Sequence, residues 1–554
     1  MTQARAITRP SVASGYSSNK AVRHLVRCVV AALALIAWAA APAAEPLSAT
    51  SAAGHYRVQL RPLEAPVPIN AFHDWELRIT SAEGEPLDPR QLAVFGGMPG
   101  HGHGLPSSPE VTERLEPGLY RVSGMRFNMA GLWELFVGVT GPAGPDKARF
   151  EIAVGADVPA GETRLGFSAD EVARMQTLVL KARPPADTGN RLIGNADAIA
   201  LGRALFSDVR LSATGAIACA TCHVAGLGFA DGRKLSHGSL PLKRNAPSLL
   251  GAVHADWFYW DGRRDSLWAQ TLTPIETRGE MDNTRSAVAK LVLTDADYRE
   301  RYARLAKGPL PKATRWPDQG GPFGDGAART DWQRLSPVQR RDIDTVFSDV
   351  GKALAAFVAT LQHRPTRFDA FALALAAGHD DHAASLLDED ARAGLKLFLD
   401  EPRSKCLRCH NGSTFTSYGF HNIGTATDTE GQLDFGRAIG IRAAQHDPFN
   451  CLGEYSDVDR DACDHHRFAD AGHPPVGAFK VPSLRGLDVT APYMHDGRFA
   501  SLEAVVAHYR AAAPAEDGSD DLFRLDITDA EAAQLVAFLR ALSAAPEAHS
   551  NTMH

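Results

Sequence analysis

Two Cys-x-x-Cys-His pentapeptides, at 219–223 and 406–410, constrain this chain more than any other feature. Two thiols at this spacing can reach the two vinyl groups of one porphyrin, and the histidine that follows can ligate the iron. A structural zinc site would need a second cysteine pair close to each motif, and a redox dithiol would need no histidine. The sequence therefore predicts two covalently bound c-type haems. Their attachment residues are Cys219, Cys222, Cys406 and Cys409, and their proximal ligands are His223 and His410.

Length and composition indicate an ordinary globular protein of several domains. The chain has 554 residues, of which 44% are hydrophobic and 22% are charged. This length corresponds to about three domains. A formal net charge of −7 argues against a nucleic-acid partner.

The first 44 residues have the pattern of an export signal. Basic residues up to Arg27 precede an apolar run over 28–40, and small residues suited to cleavage follow at 41–44. The run is short for a membrane span, and an uncleaved anchor is the alternative. No later stretch approaches about 18 consecutive apolar residues. We therefore expect a periplasmic protein with no integral membrane span after signal removal.

Two cysteines remain once those of the signal and the haem motifs are assigned. Cys451 and Cys463 lie in one loop beyond the second haem motif. In an oxidising compartment such a pair most simply forms a disulfide bond. We therefore expect these two residues to close the loop between them.

The residues from 45 to 155 alternate between apolar and polar positions, as strands do, and Gly and Pro separate the runs. This pattern predicts a small β-sandwich. Its strands are predicted at 55–60, 75–80, 92–95, 120–127, 132–139 and 150–154.

The same region contains an unusual group of methionines and histidines. The candidate copper ligands are Met98, His101, His103, Met125 and Met129. Thioether and imidazole donors together suit copper, Cu(I) in particular. In the alternative interpretation the methionines are core residues and the histidines lie in a turn.

Helical periodicity begins near residue 195, after a connector that contains one helix with a capping box at Ser168. Each haem motif is preceded by Gly-x-x-Leu-Phe, at 202–206 and again at 394–398. A helix that ends just before Cys-x-x-Cys-His is how a cytochrome c domain begins. The chain is therefore predicted to be multidomain, with an N-terminal β-sandwich followed by two mainly α-helical cytochrome c-like domains.

The predicted boundaries follow from these patterns. They are a signal peptide at 1–44, the β-sandwich at 45–155, a linker at 156–190, the first haem domain at 191–385, the second at 386–545 and a tail at 546–554. A long helix over 336–362 is predicted to connect the two haem domains. The Pro- and Gly-rich segment 308–335 is predicted to be a surface insertion.

Short motifs around the two haem sites give a family resemblance over about 195–545. After the first motif come Ser236-His237-Gly238, Arg244-Asn245, Phe258-Tyr-Trp260-Asp-Gly-Arg263, Gln270 and Glu280-Met281. After the second come Phe479-Lys-Val-Pro-Ser-Leu-Arg485 and Thr490-Ala-Pro-Tyr-Met-His495-Asp-Gly497. This part of the chain resembles the di-haem bacterial cytochrome c peroxidase and MauG-like family. The β-domain lies outside that resemblance and is similar to small Ig-like domains of the YtkA or FixH type.

The resemblance implies different roles for the two haems. The first would be the peroxide site and the second its electron-transfer partner. Gln270 and Glu280 stand at the family's distal positions, where an amide orients peroxide and a carboxylate carries its proton. Trp260 matches the tryptophan between the haems. Asn245, Thr490 and Pro492 match the positions that hold a calcium ion through oxygen atoms.

The sixth ligands decide the subclass that the resemblance implies. His237 stands where peroxidases carry a removable distal ligand, although a loop histidine that never reaches iron is the alternative. Tyr509 stands at the tyrosine-ligand position of MauG-like enzymes, and a phenolate would lower the haem potential. Met494 is the rival ligand. Ser404 replaces a surface tryptophan through which a MauG-like enzyme oxidises its protein substrate, so that route is in doubt here.

Three functions remain open at this point. The first is a MauG-like peroxidase that uses hydrogen peroxide to oxidise a secreted protein, a small cytochrome or a cupredoxin. The second is a detoxifying cytochrome c peroxidase whose first haem is activated by reduction. The third is a copper-linked electron-transfer protein without catalysis, against which Gln270 and Glu280 argue, because a pure relay needs no distal acid–base group.

Overall fold

A computed structural model of the protein describes most of the chain. The described residues are 46–98, 103–128, 131–154, 164–182, 186–427, 430–469, 474–512, 521–522 and 524–543. The predicted signal peptide, the tail and the candidate copper ligands His101 and Met129 lie outside them. Within these ranges no helix has the length and apolar character needed to cross a membrane.

The N-terminal region is a sandwich of two antiparallel sheets. The strands are β1 Leu47–Thr50, β2 Tyr56–Pro62, β3 His73–Ser81, β4 Gln91–Met98, β5 His103–Gly104, β6 Glu110–Glu116, β7 Leu119–Met125, β8 Gly131–Gly141 and β9 Gly144–Val154. One sheet has the order β1-β2-β3-β7-β6, and the other has β5-β4-β8-β9. Alternate residues such as Val58 and Leu60 point into the core between the sheets.

The predicted β-sandwich is confirmed, but three strands escape the sequence pattern. β1 and β5 are too short for alternation to be recognised. β6 reads Glu-Val-Thr-Glu-Arg-Leu-Glu, and most of it is exposed at the edge of its sheet. An edge strand with charged side chains lacks the buried face that makes a strand visible in a sequence.

The helical region contains two hydrophobic cores. Around the first lie the helices Ala196–Phe206, Leu267–Glu276, Arg285–Thr294, Ala296–Leu305, Gly326–Arg334 and Pro337–Val358. Around the second lie Ala169–Leu178, Arg367–Ala376, Asp380–Leu386, Glu389–Leu399, Leu502–Arg510 and Asp529–Ala541. A smaller cluster joins Arg437–His446 to Trp257 of the first unit. Short helices at Cys219–Cys222, Glu401–Ser404 and Asp464–Arg467 complete the α-helices of the described residues, and seven 3-10 turns lie between them.

The cores divide the chain differently from the predicted boundaries. Phe368, Phe371 and Leu375 belong to the second core, so that unit begins before the predicted start at 386. Met175 of the supposed linker also packs there. The apolar face of an amphipathic helix does not specify which neighbour covers it, and this explains the difference.

The segment 308–335 is not a simple surface insertion. Trp316 and Trp332 are buried against the first core, at 4% and 8% exposure. Parts of the segment are loops, as its Pro and Gly content predicts. That content gives no sign that the two tryptophans are buried against the first core.

A close helix crossing lies in front of each haem motif. Gly202 of the helix Ala196–Phe206 faces Ala353, and Gly394 of the helix Glu389–Leu399 faces Gln534. A Cβ atom at either glycine would overlap the carbonyl oxygen of the facing helix. The repeated Gly-x-x-Leu-Phe pattern therefore sets how closely the helix before each motif approaches its partner.

Replacing Gly394 with Ala should lower the free energy of unfolding by about 1–3 kcal/mol, because the new methyl group must push two backbones apart. Urea unfolding followed by far-ultraviolet circular dichroism measures the change. The matched control is Gly326→Ala, since a Cβ at Gly326 meets no atom within contact distance. Equal stability of the two variants would contradict the close-crossing interpretation.

Candidate functional site

Both Cys-x-x-Cys-His motifs open into one internal cavity of ≈ 1130 Å³. All four haem cysteines, His223 and His410 line it, and its walls come from both helical units. Because each motif presents two thiols and an imidazole to the same continuous space, the residues fit two covalently attached porphyrins.

Each proximal histidine is oriented by a backbone carbonyl. His223 Nδ1 lies 2.8 Å from the carbonyl oxygen of Phe229, and His410 Nδ1 lies 3.1 Å from that of Phe415. Both phenylalanines have left-handed backbones, with φ of 58° and 52°. Nδ1 is thus the protonated donor, which leaves Nε2 to ligate a metal. Burial lowers the pKa of both imidazoles, that of His410 to about 4, so both rings are neutral.

Gln270 and Glu280 line the cavity together with His223. Gln270 lies on the helix Leu267–Glu276, whose first two amides donate to the Asp187 carboxylate at 2.7 and 3.0 Å. Glu280 follows in the turn after that helix. Both side chains therefore face the cavity that holds the first haem motif, and their distal role stays a prediction.

Two neighbouring features position Glu280. Its carbonyl oxygen accepts a hydrogen bond from the Ser239 amide at 2.9 Å. Gly238 lies directly against the backbone at 279–280, where a Cβ would overlap the chain. The loop that follows the first haem motif is thereby fixed on the residue that could exchange a proton with bound peroxide.

Arginines balance the charge of Glu280. Burial raises the pKa of this carboxyl, while Arg263 and Arg264 act to lower it. The Arg263 guanidinium lies 3.5 Å from the ring centroid of Tyr259 and pairs with Asp261 at 3.1 Å. The sequence analysis gave Arg263 and Tyr259 no role, although both stand in the quoted Phe258–Arg263 motif.

His237 does not face the cavity. Its side chain is exposed, its Nδ1 lies 2.9 Å from the carbonyl oxygen of Gly238, and it is absent from the described residues that line the space. Its own carbonyl oxygen instead lies 3.8 Å from Cys222 Sγ. The residue thus lies beside the first motif with its imidazole turned away from the cavity, and a ligand role for it stays a prediction.

Trp260 lies where the two units meet. Its indole Nε1 donates to the Asn245 carbonyl at 3.0 Å, and its own carbonyl accepts from the Lys480 amide at 2.7 Å. The Asn245 amide donates to the His495 carbonyl at 2.8 Å. Trp260 is therefore hydrogen-bonded to residues of both helical units, and it also lines the cavity.

The predicted calcium residues also line this cavity. Asn245, Thr490 and Pro492 belong to its wall near the contact between the units. The Asn245 side-chain nitrogen donates to the Arg233 carbonyl at 2.7 Å, so its oxygen is the atom that can face a cation. Neutral oxygen donors of this type suit calcium.

Both candidates for the sixth ligand of the second haem reach the cavity. Tyr509 extends from the helix Leu502–Arg510, whose Leu502 and Val506 are also wall residues. Met494 lines the cavity from a loop in which its φ is +75°. Both side chains therefore face the cavity that the two motifs share, and Tyr509 as ligand stays a prediction.

His421 is a wall residue that sequence reasoning missed. It lies on a two-residue strand paired with Phe479–Lys480, and its Nδ1 is 3.2 Å from Asp521. A single histidine in an otherwise unremarkable segment gives no signal in the sequence. Its position marks it as a polar neighbour of the second haem.

Cys451 and Cys463 form a disulfide bond with a Cα–Cα separation of 5.8 Å. The loop that they close belongs to the second half of the chain but packs on the first core through Tyr455. Asp457 of this loop pairs with Lys352 at 2.7 Å. The loop therefore connects the two units.

The candidate copper ligands are only partly described. Met98 and Met125 are buried in the β-sandwich core, and the backbone of His103 pairs with that of Met98. His73, which the sequence analysis did not select, is buried nearby at 4% exposure, and its Nε2 has no hydrogen-bond partner.

Comparison with known proteins agrees with this geometry. The family described as "Di-haem cytochrome c peroxidase" matches residues 196–376, and the family described as "YtkA-like" matches residues 48–138.

Three curated relatives match most of their own length. Methylamine utilization protein MauG of Methylorubrum extorquens is 31% identical over 353 residues, which cover 63% of this chain and 79% of the relative. Cytochrome-c peroxidase IdrP2 of Pseudomonas sp. is 30% identical, covering 69% and 89%. Cytochrome c551 peroxidase of Nitrosomonas europaea is 27% identical, covering 63% and 80%.

Two solved structures are also similar. One is a MauG-like protein associated with microbial copper homeostasis, at 25% identity and a TM-score of 0.42, covering 65% of this chain and 91% of that one. The other is the dihaem peroxidase BthA of Burkholderia thailandensis, at 22% identity and a TM-score of 0.45, covering 64% and 87%. The sequence relatives, with the two attachment motifs in one cavity, show that this chain belongs to the di-haem cytochrome c peroxidase and MauG family, whose members are oxidoreductases that use peroxide.

Proposed function

We propose that the protein is an exported, periplasmic MauG-like peroxidase. It uses hydrogen peroxide at the first haem motif to oxidise a secreted protein, a small cytochrome or a cupredoxin by way of the second motif. The observation that carries this proposal is the placement of Gln270 and Glu280 with His223 in one cavity. A chain that only relayed electrons would need no such pair.

The distal residues have separate tasks. When bound, the haem at Cys219 and Cys222 supplies the iron at which the O–O bond of peroxide is cleaved. The Glu280 carboxylate takes a proton from one peroxide oxygen and returns it to the other, which becomes water. The Gln270 amide holds the peroxide by hydrogen bonding. Arg263 acts to lower the pKa of the Glu280 carboxyl against the effect of burial, which favours the ionised form that accepts the proton.

Electrons from the oxidised partner enter through the second motif in this proposal. Trp260 lies between the units and supplies an aromatic side chain for their transfer, because its indole is anchored to Asn245 and its backbone to Lys480. A calcium ion held by Asn245, Thr490 and Pro492 would hold the same contact together. Tyr509 would close the second site to peroxide.

Replacing Glu280 with Gln should slow the reaction with peroxide by about 10²–10⁴-fold, because the amide cannot accept the proton. Stopped-flow mixing with peroxide, followed at the haem absorption bands, measures this rate, and the resting spectra should not change. Glu300→Gln, on an exposed helix face, is the matched control. Equal rates in Glu280→Gln and wild type would refute the assignment.

The same measurement across pH tests the role of Glu280 as a base. Burial raises the pKa of this carboxyl, so its ionised form is lost at a higher pH than in an exposed glutamate. The wild-type rate should fall as pH decreases through that pKa, because only the carboxylate accepts the proton. The Glu280→Gln variant should lack this acidic limb. An identical limb in both proteins would point to another group.

Replacing Tyr509 with Phe should change the low-spin spectrum of the second haem, because the phenolate donor is removed. Electron paramagnetic resonance of the resting protein measures the ligation of both haems. Met494→Leu is the matched comparison, since it removes the rival donor with little change in volume. A spectrum altered by Met494→Leu and not by Tyr509→Phe would make Met494 the ligand.

A further inference from the structure

One end of the β-sandwich is fastened to the second haem motif. Asn411, the residue after His410, donates through Nδ2 to the carbonyl of Asn128 at 2.8 Å. Its Oδ1 accepts from Asn70 Nδ2, also at 2.8 Å. Asn411 is 9% exposed, so these bonds are shielded from water. The β-domain thus contacts the chain directly beside a proximal haem ligand.

Other contacts hold the same end in place. Arg126 pairs with Asp256 of the first unit at 2.8 Å. The ring of Phe468 covers Gly124, where any Cβ would overlap it, and the φ of Gly124 is +83°. The β-domain is therefore seated on both haem units at the end where β7 finishes.

His73 lies at the same end of the β-sandwich, and one of its ring nitrogens has no hydrogen-bond partner. Its Nδ1 is 3.2 Å from the carbonyl of Ala71 and serves as the donor. The remaining nitrogen, Nε2, is buried without a partner. A histidine that gives one N–H to a backbone carbonyl and keeps the other nitrogen free inside the protein has the arrangement of a metal ligand.

Two thioethers lie on the same end of the core. Met125 is the direct cross-strand neighbour of His73 and is fully buried. The strands β4 and β8 are antiparallel, and their last paired residues are Gly97 and Glu134. Continuing this register by one residue places Met98 of β4 opposite Trp133 of β8. The Trp133 ring is 5.1 Å from that of Phe127, which is 5.5 Å from the His73 ring.

The donor types select the metal. In the described part of the chain no three His, Cys, Asp or Glu side chains are grouped to hold an ion. Imidazole with thioethers, and without carboxylate or thiolate, favours Cu(I) over zinc, calcium or magnesium.

We propose that the β-domain binds one copper(I) ion at the cross-strand pair His73 and Met125, and that this ion gives an electron to the second haem unit. Cu(I) becomes Cu(II) as it loses that electron. Two such electrons and two protons convert one hydrogen peroxide to two waters, so each cycle oxidises two Cu(I) ions, and the Cu(II) formed is replaced at the site by Cu(I). Copper binding is independent of the proposed peroxidase function, whereas the electron transfer rests on it.

A short path joins the two sites. Met125 is three residues from Asn128, whose carbonyl accepts the hydrogen bond from Asn411. Asn411 is joined to His410 by one peptide bond. No exposed surface has to be crossed between the thioether and the proximal imidazole.

The copper site is tested on the full-length protein that carries both haems and has been freed of copper. This protein is titrated anaerobically with Cu(I) in competition with a coloured Cu(I) chelator. One Cu(I) should bind per chain, and X-ray absorption should show nitrogen and sulfur donors. His73→Phe and Met125→Leu should each weaken binding by at least about tenfold. Met175→Leu, a buried methionine of the second core, is the control and should bind as wild type does.

Two outcomes would overturn the site. One is that the wild-type protein binds no Cu(I). The other is that Met125→Leu, which keeps the side-chain volume, binds as tightly as wild type, since other residues would then hold the copper. Circular dichroism checks that the His73→Phe variant is folded. If that variant is not folded, the Cu(I) affinity of Met125→Leu alone decides whether the site exists.

The electron link is tested by adding peroxide to the Cu(I)-loaded protein and freezing samples for electron paramagnetic resonance. A Cu(II) signal should appear, and Glu280→Gln should delay it by the same factor as the haem reaction. A Cu(II) signal that is equally fast in Glu280→Gln, or absent while the haems react, would disprove the link. If the wild-type haems do not react with peroxide, the proposed function and the link both fail, and the titration still judges the copper site.

Discussion

A hydrogen bond between an imidazole Nδ1 and a backbone carbonyl is the interaction on which both haem attachment sites depend. It occurs at His223 with Phe229 and at His410 with Phe415, and it requires a left-handed turn in both loops. The bond fixes the tautomer and the ring angle, so that Nε2 faces the cavity before any metal arrives. His73 repeats the arrangement in the β-domain with the carbonyl of Ala71.

Beyond this shared part the two haem sites diverge. Gln270, Glu280 and Arg263 line the cavity with the first motif, and the proposed function gives Glu280 the proton transfer. The second is faced by the helix Leu502–Arg510 with apolar wall residues, and its proximal side is covered by the β-domain through Asn411. The difference in surroundings is the one that the proposed function needs, with peroxide chemistry at the first site and electron exchange at the second.

Short sequence patterns predicted most of the local structure. The capping box at Ser168 begins a helix as expected, the long helix predicted from residue 336 starts at Pro337, and the two haem motifs share one cavity with Gln270 and Glu280. Contacts between residues far apart in the sequence could not be predicted, because the pattern of an amphipathic helix does not identify the element that packs on it. Asn70 and Asn411 are 341 positions apart. His73 occupies an ordinary inward position of a strand, and only its unpaired Nε2 distinguishes it from a core residue.

The disulfide loop has a consequence for how the two haem sites are spaced. Its Asp457 pairs with Lys352, which is 3% exposed in the first unit, and accepts the Arg191 amide at 3.1 Å. The loop belongs to the second half of the chain, so covalent closure between Cys451 and Cys463 helps to keep an anion beside a buried cation of the other unit. The oxidation state of two cysteines outside both haem motifs thus bears on how firmly the two units are held together. A chain folded with these thiols reduced would keep both attachment motifs, but the loop that carries Asp457 would no longer be closed by a covalent bond.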